Sequence, residues 1–243
     1  MGVDLVRIET GMIESRFGES RNIIEDYVQN KNKRYNFGLS KEPLTFSVTI
    51  SLKEKEWTTE KKMSLIKWLF QEEYKDFVST DDLSVVYKCL VVSDSIRFDN
   101  SMKLGFATLV FRCDSSHAYT PLATTVKDFA DLTSPEIFEI SNHSNVLEYY
   151  YPEIEFELID FETDFKIKNL SNNGEIFEFT DLVPQEKVYI DNDNKIIVSS
   201  IPDTYRLGNL TDKKFFRLVY GVNQIEVYHP CILSIRSQFP IGV

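Results

Sequence analysis

Three histidines, three cysteines and a large excess of carboxylates are the chemistry-bearing residues of this 243-residue chain. His117, His143 and His229 stand far apart, with no HExxH and no pair at ligand spacing. Each is expected to be a surface or turn residue, not a base or a metal ligand. A Ser/His/Asp triad is a spatial arrangement on which the sequence is silent, but no Gly-x-Ser-x-Gly elbow is present. Neither a Walker A loop nor a GxGxxG turn occurs among the nine glycines. Asp191-Asn192-Asp193-Asn194 begins like a calcium loop, yet Lys195 and Ile196 stand where an oxygen donor and a glycine are needed. A hairpin turn is the expectation there. Glu153, Glu155 and Glu157 could supply glycosidase carboxylates. Strand alternation puts all three on one solvent face instead, with Ile154, Phe156 and Leu158 inward. Tyr149, Tyr150 and Tyr151, ahead of Pro152, form a cluster with two readings: a platform that stacks on sugar faces, or edge-strand and interface material. Cys89 and Cys113 lie in apolar strand-like runs, and with Cys231 they make an odd set with no CxxC. Buried free thiols are expected, not disulfides or zinc ligands. The expectation is therefore a protein that is not an enzyme, with no catalytic, cofactor-binding or metal site.

Charge narrows the partners. The net charge is −11, and it is uneven. Residues 1–120 carry 17 basic and 18 acidic side chains, and residues 121–243 carry 10 and 20. The second half should repel phosphate backbones, which disfavours specific nucleic-acid binding. The N-terminus has no basic flank followed by an apolar core, position 6 is valine where myristoylation needs Ser or Thr, and no apolar run is long enough to span a membrane. A soluble product of a reducing cytoplasm is expected, in which the sequons at Asn142, Asn169 and Asn209 carry no weight.

The elements that must position these residues are mostly strands. Aromatic residues are 13% of the chain, including 18 Phe, which favours sheet. Residues 3–8 suit a first strand. Residues 10–42 are polar with charges of both signs, too long for an ordinary connection, and read as an extended arm or functional loop. In PLTFSVTISL, Leu44, Phe46, Val48, Ile50 and Leu52 share one face. A helix is predicted over 58–73, capped by Thr58 or Thr59, with Glu60 in its first turn and a stripe of Met63, Ile66, Leu69 and Phe70 to dock on a sheet. Strands follow in DLSVVYKCLVVSD, SIRFDN and KLGFATLVFRC, where Gly105 marks a bulge or a close backbone approach. Turn formers gather over 114–136, giving domains 1–120 and 121–243. Beyond the boundary nine candidate strands arrive at sandwich spacing: IFEIS, EIEFELI, FKIKN, EIFEF, KVYID, KIIVSS, FFRLVY, QIEVYH and CILSIR. Gly221 and Asn223 are the turn between FFRLVY and QIEVYH, since either tolerates the positive φ of a tight hairpin.

The arm, PLTFSVTISL, the helix ending in IKWLF, KLGFATLVFRCDSSHAYTP closing on Cys113 and Ala118-Tyr119, IFEISNHSN, YYYPEIEFEL, QEKVYIDNDNKIIV and FRLVYGVNQIEV occur in an order and spacing that resembles the distal tail protein family of long-tailed bacteriophages. The resemblance spans nearly the whole chain. It departs in the arm, which is charged and Asn/Lys-rich where the family has a Gly-rich turn. The resemblance implies a mainly β chain: an N-terminal β-sandwich or split-barrel-like domain with one helix, then a C-terminal galectin-like β-sandwich. It implies a hexameric ring of copies at the virion tail tip, assembled in the bacterial cytoplasm. Its partners would be itself, the tail tube protein, and the tail-tip, tail-associated or receptor-binding protein, with DNA passing through the pore and no membrane. The alternative is a carbohydrate-binding module for host-wall recognition.

Overall fold

The computed structural model describes residues 3–9, 21–52, 58–92, 97–99, 106–146 and 148–242. The chain forms two compact units, residues 1–119 with 241–243, and residues 120–240. The expected division gave the whole C-terminus to the second domain. The last residues instead return to the first unit, where β19 (Pro240–Ile241) continues the sheet beyond β9 (Ala118–Tyr119). Within the second unit the two ends of its segment are clamped together. Thr120 N–H donates to Phe239 O at 2.8 Å, and Phe239 N–H donates to Thr120 Oγ1 at 2.9 Å.

Among the described residues the first unit is built on one branched antiparallel sheet. β1 (Val3–Glu9) pairs β4 (Thr45–Leu52), and β4 pairs β8 (Phe106–Cys113). The other edge of β8 is divided. β7 (Arg97–Asp99) pairs residues 106–108, while β6 (Asp82–Val91) pairs residues 111–113. β6 then carries β5 (Lys75–Ser79) on its other edge and meets β9 at Val86. Among its described residues the unit is mainly β with one helix, as expected. β4 alternates as its sequence requires, burying Phe46, Val48 and Ile50. The ring of Phe46 lies 5.0–5.6 Å from those of Phe77, Tyr87 and Phe111. Gly105 lies outside the described residues.

The helix α1 (Thr59–Leu69) starts as predicted: Thr58 Oγ1 accepts the Lys61 N–H at 3.3 Å, and Glu60 occupies the first turn. It stops four residues short of the expectation, because Gln71 folds back and donates to the carbonyls of Lys67 and Trp68, both at 3.0 Å. Its docking face also differs. Leu65 is the buried residue, with Leu69 packed beside it, whereas Met63 and Ile66 of the predicted stripe face outward with Trp68. A periodic stripe fixes that one side is apolar, but not that the sheet lies on that side.

The second unit is a two-sheet sandwich. One sheet runs β10 (Ala123–Asp128), β18 (Cys231–Ser237), β12 (Glu153–Leu158), β15 (Lys187–Asp191), β16 (Ile196–Ser199). The other runs β11 (Glu136–Asn142), β17 (Gly221–Val227), β13 (Phe165–Asn169), β14 (Glu175–Phe179). Every pair is antiparallel. Ile154, Phe156 and Leu158 point into a core shared with Phe165, Ile167, Phe177 and Phe179. Phe156 and Phe165 stack face to face with centroids 3.8 Å apart. β13 and β14 are joined by the predicted Ser171–Gly174 turn, in which Asn173 and Gly174 take φ of 54° and 67°. β10 falls where the sequence predicts turns. It is an edge strand with mostly exposed side chains, so it carries no inward alternation to read.

Candidate functional site

The described part of the arm is a hairpin, β2 (Arg21–Tyr27) and β3 (Arg34–Lys41), and residues 10–20 lie outside the described residues. Among the described residues the two strands pair only with each other. Register shifts between Ile24 and Glu25, and on the partner strand Gly38 has φ 130° and donates to Asn36 Oδ1 at 2.7 Å. Arg34 Nη1 lies 2.5 Å from Glu25 Oε1, so this ion pair is internal to the hairpin. Among the described residues its apolar side chains stand exposed: Phe37 is 70% exposed, Tyr27 65% and Ile23 60%, with Ile24 and Leu39 also exposed. An isolated two-stranded hairpin is marginally stable in water, and a contiguous exposed apolar surface marks an interaction site.

The first unit carries a second surface of the same kind. Met63, Ile66 and Trp68 project outward from α1. Trp68 and Leu69 also line an apolar hollow of about 460 Å³ floored by Val48, Ile50, Cys89 and Leu109. In Sequence terms both surfaces were hidden. The hairpin residues read as a polar arm, and the helix residues read as core.

The second unit separates the tyrosine cluster. Tyr150 turns inward: its ring lies 4.7 Å from that of Phe239, its hydroxyl oxygen accepts the Gln238 N–H at 2.7 Å, and its backbone bridges Leu218. Tyr149 and Tyr151 share the other face, lining with Glu148, Val219 and Tyr220 a shallow hollow of about 580 Å³. The Arg217 guanidinium lies 3.9 Å from the centre of the Tyr149 ring. Glu175 holds it with bonds of 2.9 and 3.2 Å from Nε and Nη2. Strand alternation separates Tyr150 from its neighbours, and that signal is in the sequence. The contribution of Tyr220 and Arg217, about 70 residues on, leaves no local trace.

Gly221 and Asn223 are not a turn between two strands. FFRLVY is not a strand but bridges Tyr150 at Leu218, and β17 begins at Gly221 itself. Gly221 does have a positive φ, 83°, which bends the chain into β17. Asn223 is a fully buried strand residue. Its Oδ1 accepts the Val219 N–H at 2.9 Å and the Asn169 amide at 3.0 Å; its Nδ2 donates to Val219 O at 2.8 Å and Gly221 O at 3.0 Å. The side chain thus takes up backbone groups that a strand partner would otherwise satisfy. Asn223→Ala is expected to lower the urea midpoint of the second unit, at about 1–3 kcal/mol for each buried group left unpaired. Gln224→Ala, at an exposed neighbouring position, should change stability by less than about 0.5 kcal/mol.

The remaining candidates do not converge. Lys187 Nζ lies 3.0 Å from Glu155, and Glu153 Oε2 lies 3.1 Å from Arg236 Nη1, an ion pair outside hydrogen-bond geometry. Asp191 Oδ1 accepts the N–H groups of Asp193 and Asn194 at 3.1 and 2.9 Å, making the turn between β15 and β16, with Lys195 at φ 59°. His229 pairs with Glu162 at 3.2 Å. His117 meets Tyr119 edge-on, and His143 meets Phe239 in the same way. Among the described residues no three His, Cys, Asp or Glu side chains form a group able to hold a metal, and no helix is long and apolar enough to cross a membrane.

Comparison with known proteins matches the same two-part organisation. Residues 1–115 match the family model described as a phage tail protein N-terminal domain, and residues 122–237 match a phage tail C-terminal domain. The SPbeta prophage-derived uncharacterized protein YomH of Bacillus subtilis (strain 168) is 23% identical over 242 residues, covering 98% of this chain and 92% of that one. The Dit protein of phage SPP1, described as a paradigm of the hub adsorption apparatus in phages infecting Gram-positive hosts, has a similar fold. Its TM-score is 0.70 at 12% identity, covering 98% of this chain and 93% of that one. The phage P2 baseplate in its activated conformation with calcium gives 0.52 at 9% identity, covering 96% and 90%. The matched models span almost the whole chain, and on them, with the forked sheet and the sandwich already described, the chain belongs to the phage tail proteins and has the fold of a distal tail hub.

Proposed function

We propose that this tail protein is the distal tail hub of its virion. Copies close into a ring, six by the family resemblance, that joins the tail tube on one face to the tail-tip adsorption apparatus on the other and leaves a passage for DNA. The observation that carries this reading is the β2–β3 hairpin, which pairs with no other strand among the described residues and exposes apolar side chains along a two-stranded ribbon. The outer side of α1 is a second and different apolar surface of the same unit. Two unlike patches on one body support head-to-tail contacts, which close into a ring when the rotation between copies allows it. Shape complementarity is then the activity, and no reacting group is needed. DNA that must slide without sticking needs a lumen that is neutral or acidic, and the near-neutral charge of residues 1–120 is compatible with that. Negative-stain microscopy of the purified protein, alone and with the tail tube protein, is expected to show rings with a central opening. A protein that stays monomeric in both preparations, or a pore lined by Lys and Arg, overturns the reading.

The hollow bounded by Tyr149, Tyr151 and Tyr220 favours a second reading, in which the sandwich also grips a host-wall sugar. A glycan array probed with the full-length protein separates the two. Binding that Tyr149→Ala and Tyr220→Ala each abolish supports the sugar reading, and silence across the array leaves the hub role alone.

A further inference from the structure

Cys89 of β6 and Cys113 of β8 are direct cross-strand partners. The hydrogen bonds on either side settle what kind of pair they form. Asp114 N–H donates to Lys88 O at 3.0 Å, and Val92 N–H donates to Val110 O at 2.9 Å. The ladder bonds therefore fall on 88/114, 90/112 and 92/110, and the cysteines occupy a non-hydrogen-bonded position between two of them. Residues so placed point to the same face with Cα atoms about 4.5 Å apart. That lies inside the separation of about 4.4–6.8 Å that a disulfide spans without moving the backbone.

Both thiols are free and buried in the first unit's core, Cys89 at 5% exposure and Cys113 at 1%. Cys89 is the reachable one, because it floors the apolar hollow beside Leu69 and Trp68. We propose that Cys89 and Cys113 are a modification site, a cross-strand disulfide that closes when the folded protein meets a two-electron oxidant of the peroxide class. Cys89 Sγ gives up its proton and attacks one peroxide oxygen; the O–O bond breaks, leaving a sulfenic acid and one water. Cys113 Sγ then displaces the hydroxyl, which leaves with the Cys113 proton as a second water. Two thiols and one hydrogen peroxide become one disulfide and two waters; each sulfur is oxidised by one electron and both peroxide oxygens are reduced.

The bond has a structural consequence. Among the described residues the ladder between β6 and β8 is short, its hydrogen bonds running from Lys88/Asp114 to Val92/Val110 at the fork of the sheet. A covalent link inside so short a ladder holds the fork shut. Burial pushes both thiols up to about 12, with Cys113 and nearby carboxylates adding to the effect at Cys89 and Asp114 at Cys113. The pair is accordingly slow to react at neutral pH and stays reduced where reductants are present, but disulfides persist in the oxidising surroundings outside cells. The inference goes beyond the hub reading and does not depend on it.

Reduced, folded full-length protein is treated with hydrogen peroxide, and its peptides are mapped by mass spectrometry without reduction. The expected product carries a Cys89–Cys113 linked peptide, an intact mass lower by two hydrogens, a Cys231 that remains a thiol, and full reversal by dithiothreitol. Its thermal midpoint exceeds that of the same sample after reduction. Cys113→Ala treated identically shows neither the link nor the rise; Cys89→Ala serves the same purpose if that variant does not fold. Protein unfolded in urea should give a mixture of links that includes Cys231. The proposal fails if peroxide carries Cys89 or Cys113 to sulfinic acid unlinked, if Cys231 is the partner in folded protein, or if the linked form melts below the reduced one.

Discussion

Replacing Ile23 and Phe37 together with aspartate is expected to leave a folded monomer that no longer forms rings. The two side chains are 60% and 70% exposed on the β2–β3 hairpin and make no core contact there. Surface substitutions of this kind change monomer stability by about 0.5 kcal/mol or less. In the proposed ring the same side chains would lie against a neighbour. Burying a large apolar side chain contributes about 1.5–3 kcal/mol, so losing two weakens each contact by about 10²- to 10⁴-fold, before the cost of pushing two carboxylates into an apolar seam. Sedimentation velocity at one fixed concentration reads the assembly, and urea unfolding of the same variant reads the monomer. Rings that persist unchanged would show that the hairpin is not the joint. A monomer that no longer unfolds cooperatively would show that it belongs to the fold.

This prediction depends on what the sequence hides as well as what it displays. β4 and β12 were legible because each has one dry and one wet face, so side-chain burial repeats every second residue and the repeat appears in the order of residues. The hairpin has two wet faces in the isolated chain, and its apolar residues look like noise among charges. FFRLVY has the composition of a strand, but Asn223 occupies the backbone groups of Val219, and the segment bridges a neighbour only at Leu218. The helix pattern carries past Leu69 to residue 73, because the Gln71 side chain folds back onto the last carbonyls at a point that holds no helix-breaking residue. Among the tyrosines, alternation separates Tyr150 from its neighbours. Tyr220, which completes the hollow, and Arg217, which packs over the Tyr149 ring, arrive from a distant segment through the Tyr150–Leu218 bridge. Patterns of local period are readable one strand at a time; groupings made by a long-range bridge are not.

The other large expected effect is at Arg206, where Arg206→Ala should destabilise the second unit by about 3–5 kcal/mol at pH 7. Glu186 is the reason. Its side chain is 0% exposed and that of Arg206 is 11% exposed, so the pair is desolvated. The guanidinium donates to both carboxylate oxygens, Nε to Oε1 at 2.8 Å and Nη2 to Oε2 at 2.7 Å. Ser199 Oγ donates to Oε1 at 2.6 Å and Val183 N–H to Oε2 at 2.9 Å. The carboxylate therefore ties the loop before β15 to β16 and to the segment that follows it. Burial pushes the Glu186 carboxyl up, but the bonds from Arg206, Ser199 and Val183 and the Arg206 charge outweigh it, and the group sits below its ordinary value. A carboxyl lowered in the folded state contributes stability that is present above its unfolded value of about 4.3 and is lost as pH falls through the folded value. Without Arg206 the balance reverses: burial dominates, the carboxyl rises, and its neutral form becomes the better tolerated one. The gap between wild type and Arg206→Ala should accordingly be widest near pH 7 and narrow as pH falls towards about 4, where the variant no longer carries a buried unpaired charge. Urea midpoints of both proteins at pH 7 and pH 4.5 measure this. A gap that is the same at both values, or one that widens in acid, would mean that Arg206 acts through packing of its aliphatic stem and not through the Glu186 charge.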